Sequence, residues 1–483
     1  MTVIAKLWSA IVACVFVVDA VAQVSHGTAL VAPKWEKWVV GEPVPLGGEG
    51  APVCTVYSLH TMTPMAEQFA GDGDYLSDLQ RRFGERGLVV VGVVADAKAD
   101  GRERWPGCRI VADLELTTSR QWTEGWVGDP DAGYPWNVLL VDRDGVVRFL
   151  GGAESGLVDA IEATLAGRDV AAGEMAAFTL RQNLQAAFDD ATAEFVAPLT
   201  EAVAHAPRDG FLRGLLYLVQ ATKANDAVAA KKVLQESLAS LAGEARPLAV
   251  FCDLALRGDA RRPGLAAAIK PVLHPAAASV PNDAVVQLAF LRCLVTLGDA
   301  REVGRQSMKL KKLATATAAS SLEFATILTL DQNAPVHKDL ATLALDKAAT
   351  LGADARLLTA ARYGVATRCA GEPETGKALL ETYLKDTELR ASINNDCWYF
   401  MTRLPTMGRF DVFAAGLADR MLEQKEGMDY FEFDTAALAM FLVGRFADAV
   451  SLQETAILKG GKGNPEYVER LQRYKQGQQP APR

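Results

Sequence analysis

The hydrophobic pattern changes period once along the chain. Between about Trp35 and Arg168, short apolar runs alternate with stretches of helical spacing. Val53 to Tyr57 and Leu88 to Val94 are apolar runs of strand length, the second bounded by Gly87 and Asp96, and they predict buried strands. Between them Leu76, Leu79 and Phe83 fall on one helical face, which predicts a helix over Tyr75 to Phe83. Arg109 to Val111 is a further short strand. Val138 to Val141 and Val146 to Leu150 flank Asp142-Arg143-Asp144-Gly145, a sequence suited to a hairpin turn, and Leu157 to Leu165 reads as an amphipathic helix. The order β-α-β, β-hairpin, α predicts an α/β domain with a mixed sheet over residues 30–169.

After the small-residue stretch Val170 to Gly173, strand patterns stop. Ala, Leu, Glu, Lys and Arg at helical spacing continue to about Lys475. Asn225, Gly258, Gly298, Asn333, Gly371, Gly408 and Gly444 each separate two helical runs and recur every 33 to 40 residues, the period of a helix hairpin. Gly258-Asp259-Ala260-Arg261 repeats as Gly298-Asp299-Ala300-Arg301, and Gly408-Arg409-Phe410 as Gly444-Arg445-Phe446. Ala437, Met440, Gly444, Ala449, Gln453 and Ala456 occupy the small and packing positions of a tetratricopeptide pattern. Asn394 to Trp398, with Ala414 and Ala418, forms the unit before it. Residues 175–475 therefore resemble an all-α tetratricopeptide-like solenoid, with an irregular helical bundle as the alternative. The resemblance implies contacts between neighbouring hairpins only, and a concave face that binds a protein or peptide partner.

Length and charge narrow the classes. A chain of 483 residues with 50% hydrophobic and 23% charged positions is globular and long enough for at least two domains. Its net charge of −9 gives no support to general electrostatic capture of nucleic acid. Lys6, the apolar run Leu7 to Val18 and Ala20-Val21-Ala22 predict a signal peptide over residues 1–22 and hence export to the periplasm or outside the cell. That run is too short to span a bilayer, and no later segment predicts a span. A second reading takes Ile11-Val12-Ala13-Cys14 as a lipidation site that would tether the same domains to a membrane. Residues 476–483 are expected to form a disordered tail.

Several segments of the first domain resemble the exported TlpA-like branch of the thioredoxin family: Trp38 to Val44, Val53 to Tyr57, Leu76 to Phe83, Gly87 to Val93, and Gly133-Tyr134-Pro135 with the hairpin after it. The resemblance implies a thioredoxin-like α/β fold, with Pro135 as its cis-proline. In that family C-x-P-C supplies one thiolate at a helix N-terminus and a second thiol one turn away. Here the loop reads His60-Thr61-Met62-Thr63-Pro64-Met65, so Met62 and Met65 stand in the two cysteine positions and Thr63 and Pro64 between them. A thioether cannot form a thiolate. Ala70-Gly71-Asp72-Gly73-Asp74 further predicts a weakened start to the following helix.

Apart from Cys14, the cysteines are Cys54, Cys108, Cys252, Cys293, Cys369 and Cys397, none at C-x-x-C spacing. Cys54 and Cys108 are expected to be core residues or, if their strands are neighbours, a structural disulfide. The alternative is an atypical thiol-disulfide or peroxidase-like pair. His60, Met62 and Met65 have the donor types of a Cu(I) site, against a simple packing role for the methionines. His205, His274 and His337 are too scattered to suggest a metal site, and no cofactor is expected. The sequence thus predicts an exported protein-binding or assembly protein with a redox-inactive thioredoxin-like domain, and a thiol-disulfide oxidoreductase as the alternative.

Overall fold

Strand alternation sorts the first part of the molecule into two packed faces. The structure is a computed structural model. It describes residues 24–35, 37–60, 72–94, 107–113, 118, 122, 138–188, 191–224, 226–258, 263–315, 317–385, 390–460 and 464–477. Six strands, β1 (Lys37–Val40), β2 (Cys54–His60), β3 (Leu88–Val94), β4 (Arg109–Ala112), β5 (Val138–Asp142) and β6 (Val147–Gly151), form one sheet in the order β1-β4-β3-β2-β5-β6. β2, β3 and β4 are parallel, and β1, β5 and β6 run antiparallel to their neighbours. Cys54 and Val56 of β2 pack with Leu76, Leu79 and Phe83 of α1 (Asp72–Phe83) and with Val158 and Ile161 of α2 (Leu157–Leu165). Tyr57 and Leu59 point the other way, into a cluster with Val91, Val93, Trp122 and Phe178.

Two local expectations change. α1 begins at Asp72, so Gly73 lies within its first turn instead of interrupting the approach to Tyr75. Backbone N–H groups there lack intrahelical partners in any helix, and a glycine costs less than it would further in. Phe178 belongs to α3 (Ala171–Ala187), so the first helix after the sheet domain completes that domain's second face.

The elements of the remaining described residues are helices: α4 (Val196–His205), α5 (Gly210–Leu218), α6 (Ala227–Ser240), α7 (Ala245–Gly258), α8 (Pro263–Ser279), α9 (Ala284–Leu297), α10 (Ala300–Leu310), α11 (Ala318–Thr329), α12 (Lys338–Thr350), α13 (Ala355–Gly364), α14 (Pro373–Lys385), α15 (Arg390–Thr402), α16 (Asp411–Leu422), α17 (Tyr430–Leu442), α18 (Phe446–Lys459) and α19 (Pro465–Gly477). α19 thus runs two residues into the segment expected to be a tail. Asp209, Asp226, Asp283, Asp299 and Asp354 each accept a backbone N–H in the first turn of the helix they precede. Gly298, Gly371, Gly408 and Gly444, expected at turns, all adopt left-handed backbone. Among the described residues no helix is long and apolar enough to cross a membrane.

α5, α7, α9 and α11 pack side by side as an inner layer. α9 is buried at every residue from Val286 to Val295, and α11 from Ser321 to Thr329. α10 instead buries a single stripe, Val303, Gln306, Ser307 and Leu310. Part of what covers the inner layer is the chain itself. The connection between α15 and α16 reaches back so that Arg292 of α9 donates to Gly408 O (3.2 Å), Arg257 of α7 donates to Leu404 O (3.5 Å), and Arg409 pairs with Glu323 of α11. Contacts restricted to neighbouring hairpins are therefore not what this array has. At these points the inner face is occupied, because guanidiniums on an inner helix must find acceptors and the returning backbone supplies them.

The seam between sheet domain and array is rich in charge. Glu154 O accepts from Gly210 N (3.2 Å), Arg181 donates to Ser155 O (3.0 Å) and pairs with Asp209, and Arg82 of α1 forks onto Glu244 at 2.8 and 2.7 Å. Asp159 of α2 accepts from the backbone N–H of Arg208 (2.7 Å) and lies 3.0 Å from its Nε, while Arg208 also pairs with Glu162. His205 faces Glu174 at 3.4 Å. Burial pushes Asp159 up to about 6 and raises Glu154, Glu174 and Asp209 as well; the bond to Glu174 raises His205. A carboxyl raised on folding contributes stability that is complete below its unfolded pKa and is lost as pH climbs through its folded one. Relative to the Asp159→Asn variant, the unmodified chain should therefore lose about 1 kcal/mol between pH 5 and pH 7.5. Urea unfolding of both proteins at both pH values measures this. An unchanged difference between them would show that ionising Asp159 costs the fold nothing.

Candidate functional site

The two thiols of the sheet domain lie on the same side of the sheet, in the core that α1 and α2 cover. Cys54 opens β2, opposite Leu88 of β3 and Asp142 of β5; Cys108 immediately precedes β4, its sulfur 3.7 Å from the hydroxyl of Ser77 on α1. β3 runs between β2 and β4. Two inter-strand steps separate the cysteine-bearing strands by roughly 9–10 Å, beyond the Cα separation that a disulfide bridges. Both cysteines are free, so the structural-disulfide alternative does not hold. Burial, with the carboxylate of Asp142 nearby, pushes the Cys54 thiol up to about 12; burial pushes Cys108 up to about 11 against the opposing bond from Ser77. Thiols held protonated and away from solvent are poor nucleophiles. The cysteines of the array are buried as well, and Cys293 and Cys397 donate to the carbonyls of Ala266 (3.4 Å) and Ala414 (3.3 Å).

Met62, Thr63, Pro64, Met65 and Pro135, together with the side chain of His60, lie outside the described residues. Among the described residues no group of three His, Cys, Asp or Glu side chains is placed to hold a metal ion. The histidines of the array stand apart: His205 faces Glu174, His274 stacks on Phe290, and buried His337 lies 2.7 Å from Asp331.

Sequence reasoning missed a buried charge cluster. Arg257 of α7, Arg292 of α9 and Arg409 surround Asp253 of α7 and Glu323 of α11. Arg292 is 1% exposed, and its Nε and the Nη2 of Arg257 each lie 2.7 Å from an oxygen of Asp253. Burial alone would raise Glu323, but the guanidiniums of Arg409, Arg257 and Arg292 outweigh it and hold the carboxyl well below its usual range. Three cations on two anions leave a positive surplus, and burial, with Arg257 and Arg292 adding to it, brings Arg409 down to about 10. The clue in the sequence was Arg292 itself, a charge inside the apolar run Leu288 to Val295. No spacing rule could have named its partners.

A cleft of about 880 Å³ opens along the seam, between Tyr75, Ser77, Asp78 and Arg82 of α1 and Gly243, Ala245 and Val280 of the array. Tyr75 is 2% exposed, and its hydroxyl has no hydrogen-bond partner among the described residues. Burial holds that phenol neutral, so it can offer a hydrogen bond but no charge. The cleft can accept a small polar group. No protein-family model and no curated protein matches the chain.

Proposed function

We propose that the protein is an exported protein-binding or assembly factor. In this reading a thioredoxin-like domain without a working dithiol is carried on a tetratricopeptide-like helical array. The observation that carries it is the state of Cys54 and Cys108, buried, kept apart by β3 and held protonated, in a sequence where Met62 and Met65 replace the thiols that the resemblance leads one to expect. The strand order β3-β2-β5-β6, with α1 and α2 on one face, supports the thioredoxin-like part. Left-handed glycines at Gly298, Gly371, Gly408 and Gly444 support the hairpin part.

Thiol accessibility and turnover test the reading together. In the native protein at pH 8, Cys54 and Cys108 should fail to react with an aromatic disulfide reagent that modifies them fully in guanidinium. Insulin reduction should stay at background in both the unmodified chain and Cys54→Ser. Insulin-reducing turnover that Cys54→Ser abolishes would overturn the binding reading in favour of an oxidoreductase.

A further inference from the structure

Helices α8 and α10 carry an excess of positive charge on a chain whose net charge is −9. Lys270, Arg301, Arg305, Lys309, Lys311 and Lys312 face only Asp299 and Glu302 within these two helices and the residues flanking α10. Lys270 pairs with Asp299 and Arg305 with Glu302, both largely at the surface, where such pairs are weak. Lys309 makes no ion pair among the described residues.

Arg305 and Lys309, of these cations, rim a concavity of about 250 Å³ between α8, α9 and α10. Its apolar lining is Phe290 and Ala277, and the ring of His274 stacks on Phe290 with centroids 5.3 Å apart and planes at 24°. The polar lining is locked: Gln287 donates to Ala277 O and Val280 O and accepts from Gln306 Nε2 at 2.8 Å, with both glutamines buried. Arg305 and Lys309 are four residues apart on one face of α10, so both ammonium and guanidinium reach the same rim.

We propose that this pocket docks an acidic side chain, glutamate above all, from an extended segment of a partner polypeptide. The proposal deepens the protein-binding reading and rests on it. An apolar wall beneath a cationic rim suits a methylene stem that ends in a carboxylate. The volume lies below the range of roughly 300–1,000 Å³ typical of drug-sized ligands and suits one or two side chains. A bilayer or a nucleic acid backbone would instead meet a line or plane of cations and make no use of a concave pocket.

The test is fluorescence anisotropy on the full chain, with a labelled decapeptide of glutamate and leucine and its glutamine counterpart. Arg305→Gln with Lys309→Gln should weaken the glutamate peptide by about tenfold or more. Arg301→Gln with Lys311→Gln removes the same charge outside the pocket and should cost less than about threefold. The altered side chains are exposed, so thermal midpoints should not move. Equal losses in the two double variants, equal binding of the glutamine peptide, or displacement of the peptide by phosphatidylglycerol vesicles or millimolar inorganic phosphate would each overturn the proposal. Absence of peptide binding in a chain with no insulin reductase activity removes this pocket and leaves the scaffold reading. Reductase activity that Cys54→Ser abolishes removes that reading and, with it, the partner assigned to the pocket.

Discussion

Glu323→Ala is expected to destabilise the helical array by about 4 kcal/mol and to unfold it as one unit. The carboxylate stands between Arg292 and Arg409, with Arg257 3.5 Å away, and these residues come from three separated stretches of the chain. Without it three guanidiniums share the single carboxylate of Asp253, leaving buried positive charge that water cannot reach. Replacement of a surplus cation is the informative contrast. Arg409→Met removes charge from a cluster that already has one cation too many, so it should cost clearly less than Glu323→Ala although it breaks a contact of the same kind. Circular dichroism melts and limited proteolysis of the two variants decide the matter. Loss of the last hairpins alone in Glu323→Ala, with α5 to α11 still protected, would mean that the 403–410 connection is not integral to the inner layer.

How much of this was legible in the sequence depends on the range of the interactions. Strand and helix spans were readable wherever local pattern dictates local geometry: Leu88 to Val94 and Leu157 to Leu165 match their predicted limits. The turn at Asp142-Arg143-Asp144-Gly145 is another such case, since Asp142 accepts the N–H groups of both Asp144 and Val146 at 2.9 Å. The strand order was not readable, and it is what separates Cys54 from Cys108, because β3 enters between strands that the sequence left free to be neighbours. The charge cluster was hidden for the same reason: Arg292 and Gly408 meet across 116 positions, a pairing that no periodicity encodes. In the candidate site, the chemistry of single residues was legible and their company was not. His274 was legible as an aromatic base on a helix, but its stacking on Phe290 beneath a cationic rim needed the packing of three helices.

Gly408→Val and Gly444→Val separate local strain from long-range packing. Both glycines are left-handed, with φ of 68° and 88°, and a β-branched residue at either position carries strain of about 1–3 kcal/mol. Their surroundings differ. A Cβ at Gly444 meets open space, whereas one at Gly408 would lie 2.7 Å from the carbonyl oxygen of Arg257 and 2.9 Å from its Cα, and backbone of an inner-layer helix cannot swing aside. Relief would require the connection to lift away from α7, breaking the bond from Arg292 to Gly408 O and drawing Arg409 off Glu323. Gly444→Val should therefore cost only its strain, with the sheet domain still folded, while Gly408→Val should cost about 2 kcal/mol more and lower the stability of the whole array. Urea midpoints, with protease protection of α7 and α9 as a second readout, measure the contrast. Similar costs at the two positions, accompanied by new cleavage near α7, would mean that the connection detaches readily, and the inner face would then be open to a partner segment in place of the chain's own.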